Sequence, residues 1–186
     1  YNGLLDLHLY DYNGNGLDDL IVGQQNAPMG SQVLINQGGE YATEASIALP
    51  PSAYGIDNQL HLKTFSEDFT EDGKEELLIL WSRADPYYGG NYLQLLQKTV
   101  DGTYEDVTAS AFSDPYAAQD GGHLEWSDYV DVLDVNGDGL PDIVHSMNSI
   151  IGEDWLHLNR GDGGFETIEL ADFLNHNGST IHWGDF

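Results

Sequence analysis

Three nine-residue segments carry side-chain oxygens at matched places: Asp11, Asn13, Asn15 and Asp19; Asp68, Thr70, Asp72 and Glu76; Asp134, Asn136, Asp138 and Asp142. Positions 1, 3, 5 and 9 of each segment are therefore oxygen donors, and position 6 is always Gly. Position 7, filled by Leu17, Lys74 and Leu140, can add a backbone carbonyl. This is the donor set of a hard cation. Calcium takes about six to eight oxygens at about 2.3–2.6 Å, and an alternating run aims every second oxygen at one point. The rival reading is that Asn-Gly and Asp-Gly pairs simply make hairpin turns, and three matched copies weigh against it. An EF-hand also opens with Asp-x-Asn-x-Asp-Gly, but it closes with an acid at position 12 between helices. Here the closing acid stands at position 9, between runs that alternate like strands.

Of the 32 Asp and Glu residues, 11 fall in these segments, so the acidity is concentrated where a cation would relieve it. The copies are expected to differ. The third offers three ligand charges, the second has Thr70 as a poorer third ligand, and the first offers only two charges. Affinity rises with ligand charge, which predicts the order third, second, first.

These loops need elements to hold them. Each is followed at once by an apolar run: Leu20 to Val22, Leu77 to Leu80, and Ile143 with Val144. Downstream, a Gly-rich turn precedes an aromatic residue each time, at Tyr41, Tyr104 and Phe165. These aromatics follow the first acid of their own segment by 30, 36 and 31 positions, so both markers belong to one unit of about sixty residues. Each unit reads as four short strands; in the third they are expected at 129–133, 142–146, 154–159 and 165–170. No stretch shows a helical period with caps. The expected architecture is all-β, with about three four-stranded antiparallel blades of a β-propeller. The repeats are placed at 1–56, 57–122 and 123–178, with 179–186 opening a fourth, which suggests an internal slice of a longer repeat protein. Residues 86–90 and 113–122 read as loop insertions in the second unit, where binding variation usually sits.

Composition narrows the function. Thirty-two acids against five Lys and Arg give a net charge of −27, which repels phosphates and anionic membranes, so nucleic-acid binding and membrane insertion are not expected. The longest aliphatic or aromatic run, Leu77 to Trp81, is far short of a membrane-spanning helix. With no Cys, disulfides and thiolate metal sites are excluded. The seven His show no paired metal spacing, and no Gly-x-Ser-x-Gly elbow or phosphate loop occurs. No catalytic residues are assigned.

Among the aromatics, Tyr87 and Tyr88 in the inserted loop are the candidates for stacking on a sugar, while most others suit packing between blades. Arg160-Gly161-Asp162 matches an adhesion tripeptide, but Gly-Asp-Gly at a hairpin position is accounted for as a turn.

The segment from Asp134 to Val144 resembles the calcium-loop motif of the FG-GAP/VCBS repeat family, the broad group of the integrin α-subunit propeller. Leu156 to Phe165 is similar to that family's strand-turn-aromatic segment. The resemblance covers essentially the whole chain, although the Phe-Gly-Gly-Ala-Pro segment that names the family is absent, and Asn15 and Thr70 depart from its preferred acids. It implies a propeller, often of seven blades, with calcium between the first two strands of a blade. It also implies a secreted or cell-surface setting with a protein or glycan ligand. The partners expected are that ligand together with further blades of a parent propeller or neighbouring copies. Adhesion, ligand binding or extracellular architecture follows as the expected role. A polysaccharide lyase and a self-assembling filament subunit remain alternatives; for a lyase only Arg83 and Arg160 could clamp uronic carboxylates.

Overall fold

The structure is a computed structural model that describes residues 4–24, 30–87, 89–113, 127–147 and 155–169. The domain is all-β, built of three four-stranded antiparallel sheets whose strands lie in chain order. The first sheet holds β1 (Leu4–Tyr10), β2 (Asp19–Gln24), β3 (Gln32–Asn36) and β4 (Tyr41–Ala48). The second holds β5 (Gln59–Glu67), β6 (Glu76–Arg83), β7 (Gly89–Lys98) and β8 (Tyr104–Asp106). The third holds β9 (Ser127–Leu133), β10 (Asp142–Met147), β11 (Trp155–Asn159) and β12 (Phe165–Glu169). One helical turn, α1 (Thr108–Ala111), follows β8. The strands expected in the third repeat are present to within two residues at each end. No closed ring of sheets forms among the described residues.

Two apolar clusters join the sheets. Ile21 and Val33 of the first sheet pack on Leu77, Ile79, Trp81 and Leu96 of the second. Leu78, Leu80, Leu93 and Leu95, on the opposite face of the second sheet, pack on Val130, Ile143 and Phe165 of the third. Successive strand residues point to opposite faces, so both faces of the middle sheet are buried, which explains why β6 is apolar without alternation from Leu77 to Trp81. The second junction is aromatic: Phe165 stacks on Phe112 at 5.1 Å and meets Phe69 edge-on at 5.8 Å.

A buried polar chain crosses the first junction. The Thr64 hydroxyl donates to Asp6 Oδ2 at 2.7 Å. With its single proton so used, Thr64 Oγ1 accepts from His61 Nε2 at 2.6 Å, which leaves His61 Nδ1 to accept from the Ser31 hydroxyl at 2.7 Å. Burial keeps the ring neutral, and this arrangement then puts its proton on Nε2. Its ring lies 4.7 Å from that of Trp81. Gly23 allows this approach, since a Cβ there would stand 2.8 Å from the imidazole. Burial pushes the His61 pKa down to about 3, and the nearby His8 adds to the shift.

Among the described residues His61, His145 and His157 are wholly buried; His157 bonds Thr167 Oγ1 at 3.0 Å and meets Phe112 edge-on.

Candidate metal loops

Each acidic segment links the first two strands of its sheet, and the three share one set of bonds. The position 1 carboxylate accepts backbone N–H groups from positions 5 and 6: Asn15 and Gly16 on Asp11, Asp72 and Gly73 on Asp68, Asp138 and Gly139 on Asp134. The position 5 side chain accepts the N–H of position 7 at 2.8–2.9 Å in every loop. This winding requires left-handed backbone at positions 4 and 6. Gly14 and Gly16, and Gly137 and Gly139, supply it in the first and third loops. In the second, Gly73 is preceded by Glu71 at φ 55°, a conformation that costs a non-glycine residue roughly 1 kcal/mol. Position 2 anchors the first two loops: Tyr12 enters the first interface cluster and Phe69 the second.

The closing acids lie apart from the other donors in exposure. Asp19 and Asp142 are fully buried and Glu76 is 1% exposed, whereas Asn13, Asn15, Asp72, Asn136 and Asp138 face solvent. Asp142 accepts Val135 N–H at 3.0 Å and Asn159 N–H at 2.7 Å. Glu76 accepts Phe69 N–H and the Thr70 hydroxyl. Asp19 accepts Asn36 N–H at 2.6 Å and the Asn13 amide at 3.2 Å. Burial raises the pKa of Asp142 from its ordinary value; its two N–H partners oppose this, and the charges of Asp138 and Asp134 add to it. Burial raises that of Glu76 as well, against the pull of its Thr70 and Phe69 bonds.

The loops differ in the cations the protein brings to them. Lys74 bonds Asp72 Oδ2 at 2.9 Å within the second loop. Lys98 reaches the Tyr12 carbonyl of the first and sits over its ring at 3.7 Å. Among the described residues no Lys or Arg bonds to the third. Nor, among the described residues, do three His, Asp or Glu side chains converge as a ready cation cage. The oxygens are instead turned onto the loop's own amides. Each carboxylate or amide oxygen has two lone pairs and can accept a further partner, so the donor chemistry fits a hard cation. Leu17 is exposed and Leu140 half-buried at the carbonyl positions.

Sequence reasoning overlooked Asn36 and Asn159. Each ends the third strand of its sheet, 25 residues after the first acid of its loop, and its N–H binds the buried closing Asp. Asn159 also gives its side-chain amide to the carbonyls of Phe69 and Pro141 and accepts the Gly161 N–H. The equal offset was the available signal. Asn159→Ala strands buried groups on two sheets and is expected to cost about 1–3 kcal/mol in urea denaturation, against under about 1 kcal/mol for the more exposed Asn36→Ala.

Tyr87 is 64% exposed in the turn between β6 and β7, whereas Tyr88 lies outside the described residues. Trp81 and Tyr92 are buried between sheets, and the opening of a fourth repeat at 179–186 also lies outside the described residues. Arg160 and Asp162 pair with each other at 3.6 Å across the β11–β12 hairpin, whose Arg160 N–H binds the Gly164 carbonyl.

The profile of the FG-GAP-like repeat family matches residues 68–145, from the first acid of the second loop into β10 and less than half of the chain. No curated protein matches the chain.

Proposed function

We propose that the chain is a calcium-stabilised run of β-propeller blades from a secreted or cell-surface protein. Its role is adhesion, ligand binding or extracellular architecture. The observation that carries this reading is the third loop: two exposed carboxylates, Asp134 and Asp138, stand over the buried Asp142, and among the described residues no Lys or Arg bonds to them. When bound, calcium neutralises this crowding and pins β9 to β10, while the loop's own glycines and amides hold the donors in order. Asp134, Asn136, Asp138, Asp142 and the Leu140 carbonyl would hold it. The corresponding sets are Asp68, Thr70, Asp72, Glu76 and the Lys74 carbonyl, and Asp11, Asn13, Asn15, Asp19 and the Leu17 carbonyl. Lys74 competes with an ion in the second loop and Lys98 opposes one beside the first, so the third is the tightest site. The partial match to FG-GAP-like repeats and three sheets stacked in one sense support the blade reading.

Calorimetric titration of the chain with calcium is expected to show binding whose tightest phase disappears in Asp134→Ala. That variant alters an exposed side chain and should keep its strand circular dichroism. Absence of calcium binding, or a tightest phase that survives the substitution, would refute the reading.

A further inference from the structure

The Asn-Gly pairs of the acidic loops can do chemistry besides making turns. The Gly nitrogen can attack the Asn side-chain carbonyl carbon, closing a succinimide ring and expelling the side-chain NH₂. The proton of the Gly N–H leaves with that group as ammonia, and water then opens the ring at either carbonyl. An aspartyl or isoaspartyl residue results, with water as the only co-reactant. Gly favours the step because it has no Cβ to hinder the approach. The sequence holds five such pairs, at Asn2, Asn13, Asn15, Asn136 and Asn177, of which Asn13, Asn15 and Asn136 are among the described residues.

These three are alike as electrophiles. Each is exposed, and its Oδ1 accepts the N–H two residues on, from Asn15, Leu17 and Asp138 at 3.1, 2.8 and 2.9 Å. This turn folds the side-chain carbonyl back over the following peptide and polarises it. Around Gly14, Gly16 and Gly137 nothing beyond the chain neighbours lies within 4 Å of where a Cβ would stand, so the approach is open at each. Asn13 and Asn136 both also donate Nδ2 to a carboxylate, Asp19 at 3.2 Å and Asp138 at 2.9 Å.

They differ as nucleophiles. Gly16 N–H donates to Asp11 Oδ2 and Gly137 N–H to Asp134 Oδ1, both at 2.7 Å. A nitrogen must shed its proton to attack, and a carboxylate holding that proton stabilises the unreacted peptide. In the first loop the Asp11 oxygens take Asn15 N–H and Gly16 N–H instead. Among the described residues nothing accepts the Gly14 N–H.

We propose that Asn13 is a site of self-modification, converting through a succinimide with Gly14 to an aspartyl or isoaspartyl residue ahead of Asn15 and Asn136. Loss of a charge-assisted bond should slow the other two by roughly tenfold or more. The conversion needs no bound ion. Its consequence for the loop rests on the calcium reading above: the aspartyl product raises the ligand charges of the first loop from two to three, the number in the third. It also sets a carboxylate where Nδ2 now faces the buried Asp19, a like-charge contact that a divalent cation relieves.

The test is incubation of the whole chain in neutral buffer with EDTA, sampled over time by proteolysis and mass spectrometry that places each exchange of NH₂ for OH. Asn13 is expected to convert first, and Asn15 and Asn136 at least about tenfold more slowly. In urea, where the loop bonds are gone and each Asn has the same following residue, the three rates should converge. Asp134→Ala removes the acceptor of the Gly137 N–H. In that variant Asn136 should approach the rate of Asn13. No conversion at Asn13, equal rates at the three sites in the folded chain, or an Asn136 that stays slow in Asp134→Ala would each overturn the proposal. The readout is covalent and free of calcium, so such a failure is distinct from failure of the calcium titration.

Discussion

Replacing Asp142 with Ala is expected to destabilise the chain by about 3 kcal/mol in calcium-free buffer, the largest loss among single changes in the acidic loops. The Asp142 carboxylate is fully buried and accepts two backbone N–H groups, from Val135 in its own loop and from Asn159 at the end of β11. Removing it leaves both donors buried without partners, at about 1–3 kcal/mol each. Part of this is offset, because the carboxylate itself is crowded by burial and by Asp138 and Asp134. Asp142→Asn separates charge from hydrogen bonding: its oxygen can accept one N–H, but its NH₂ faces the other donor, so most of the loss should persist. Urea denaturation in EDTA measures the bonding contribution. Repeating it in millimolar calcium measures any gain the ion adds to the wild type, a gain that grows with the logarithm of the ion's concentration over its Kd. If Asp142→Ala were as stable as the wild type in EDTA, the carboxylate would not be the clasp of this loop.

The second large effect is acid destabilisation through His61. Its pKa is about 6.5 in the unfolded chain and about 3 when folded. Between those values the unfolded state binds a proton that the folded state does not, so unfolding free energy falls as pH falls, by up to about 1.4 kcal/mol per pH unit. The contribution is complete above about pH 6.5 and is lost on descent towards pH 3. His157 acts with the same sign, because burial and the neighbouring His145 hold its pKa well below 6.5. Glu76 and Asp142 act in the opposite sense, since their raised pKa values let the folded state take up protons more readily than the unfolded chain.

Comparison with His61→Gln isolates the histidine. The wild type should be the more stable at pH 7.5, and the gap should close by about pH 4.5. The groups facing the ring are Asp6 at 3.6 Å, His8, Ser31, Thr64 and Trp81. A gap that stays constant with pH would mean that the fold leaves the imidazole pKa unshifted, and one that widens as pH falls would mean that Asp6 keeps the ring protonated.

The residue pattern by itself was enough to read the three repeats, their four strands and the acidic loops between the first two. These features are local: period-two alternation sets a strand, and Gly at position 6 sets a winding that oxygen side chains can satisfy over nine residues. Even the places that depart from the pattern were visible as composition, such as Thr70 and Lys74 in the second loop.

Tertiary structure decided which face of each strand is inside. In β1 the alternation of Leu7 and Leu9 with Asp6 and His8 suggests an apolar inner side. The stacking instead turns Asp6 and His8 towards Thr64 and Ser66 of the second sheet and leaves the leucines exposed. Period two fixes that the faces alternate, but only the neighbouring sheet determines which of them it covers. The same limit hid the closing acids. Asp19, Glu76 and Asp142 read as equal members of a ligand set, yet they are buried clasps, because residues 17 positions downstream of Asp19 and Asp142 bring their N–H groups to them. Burial is a property of the assembled sheets, and no local spacing records it.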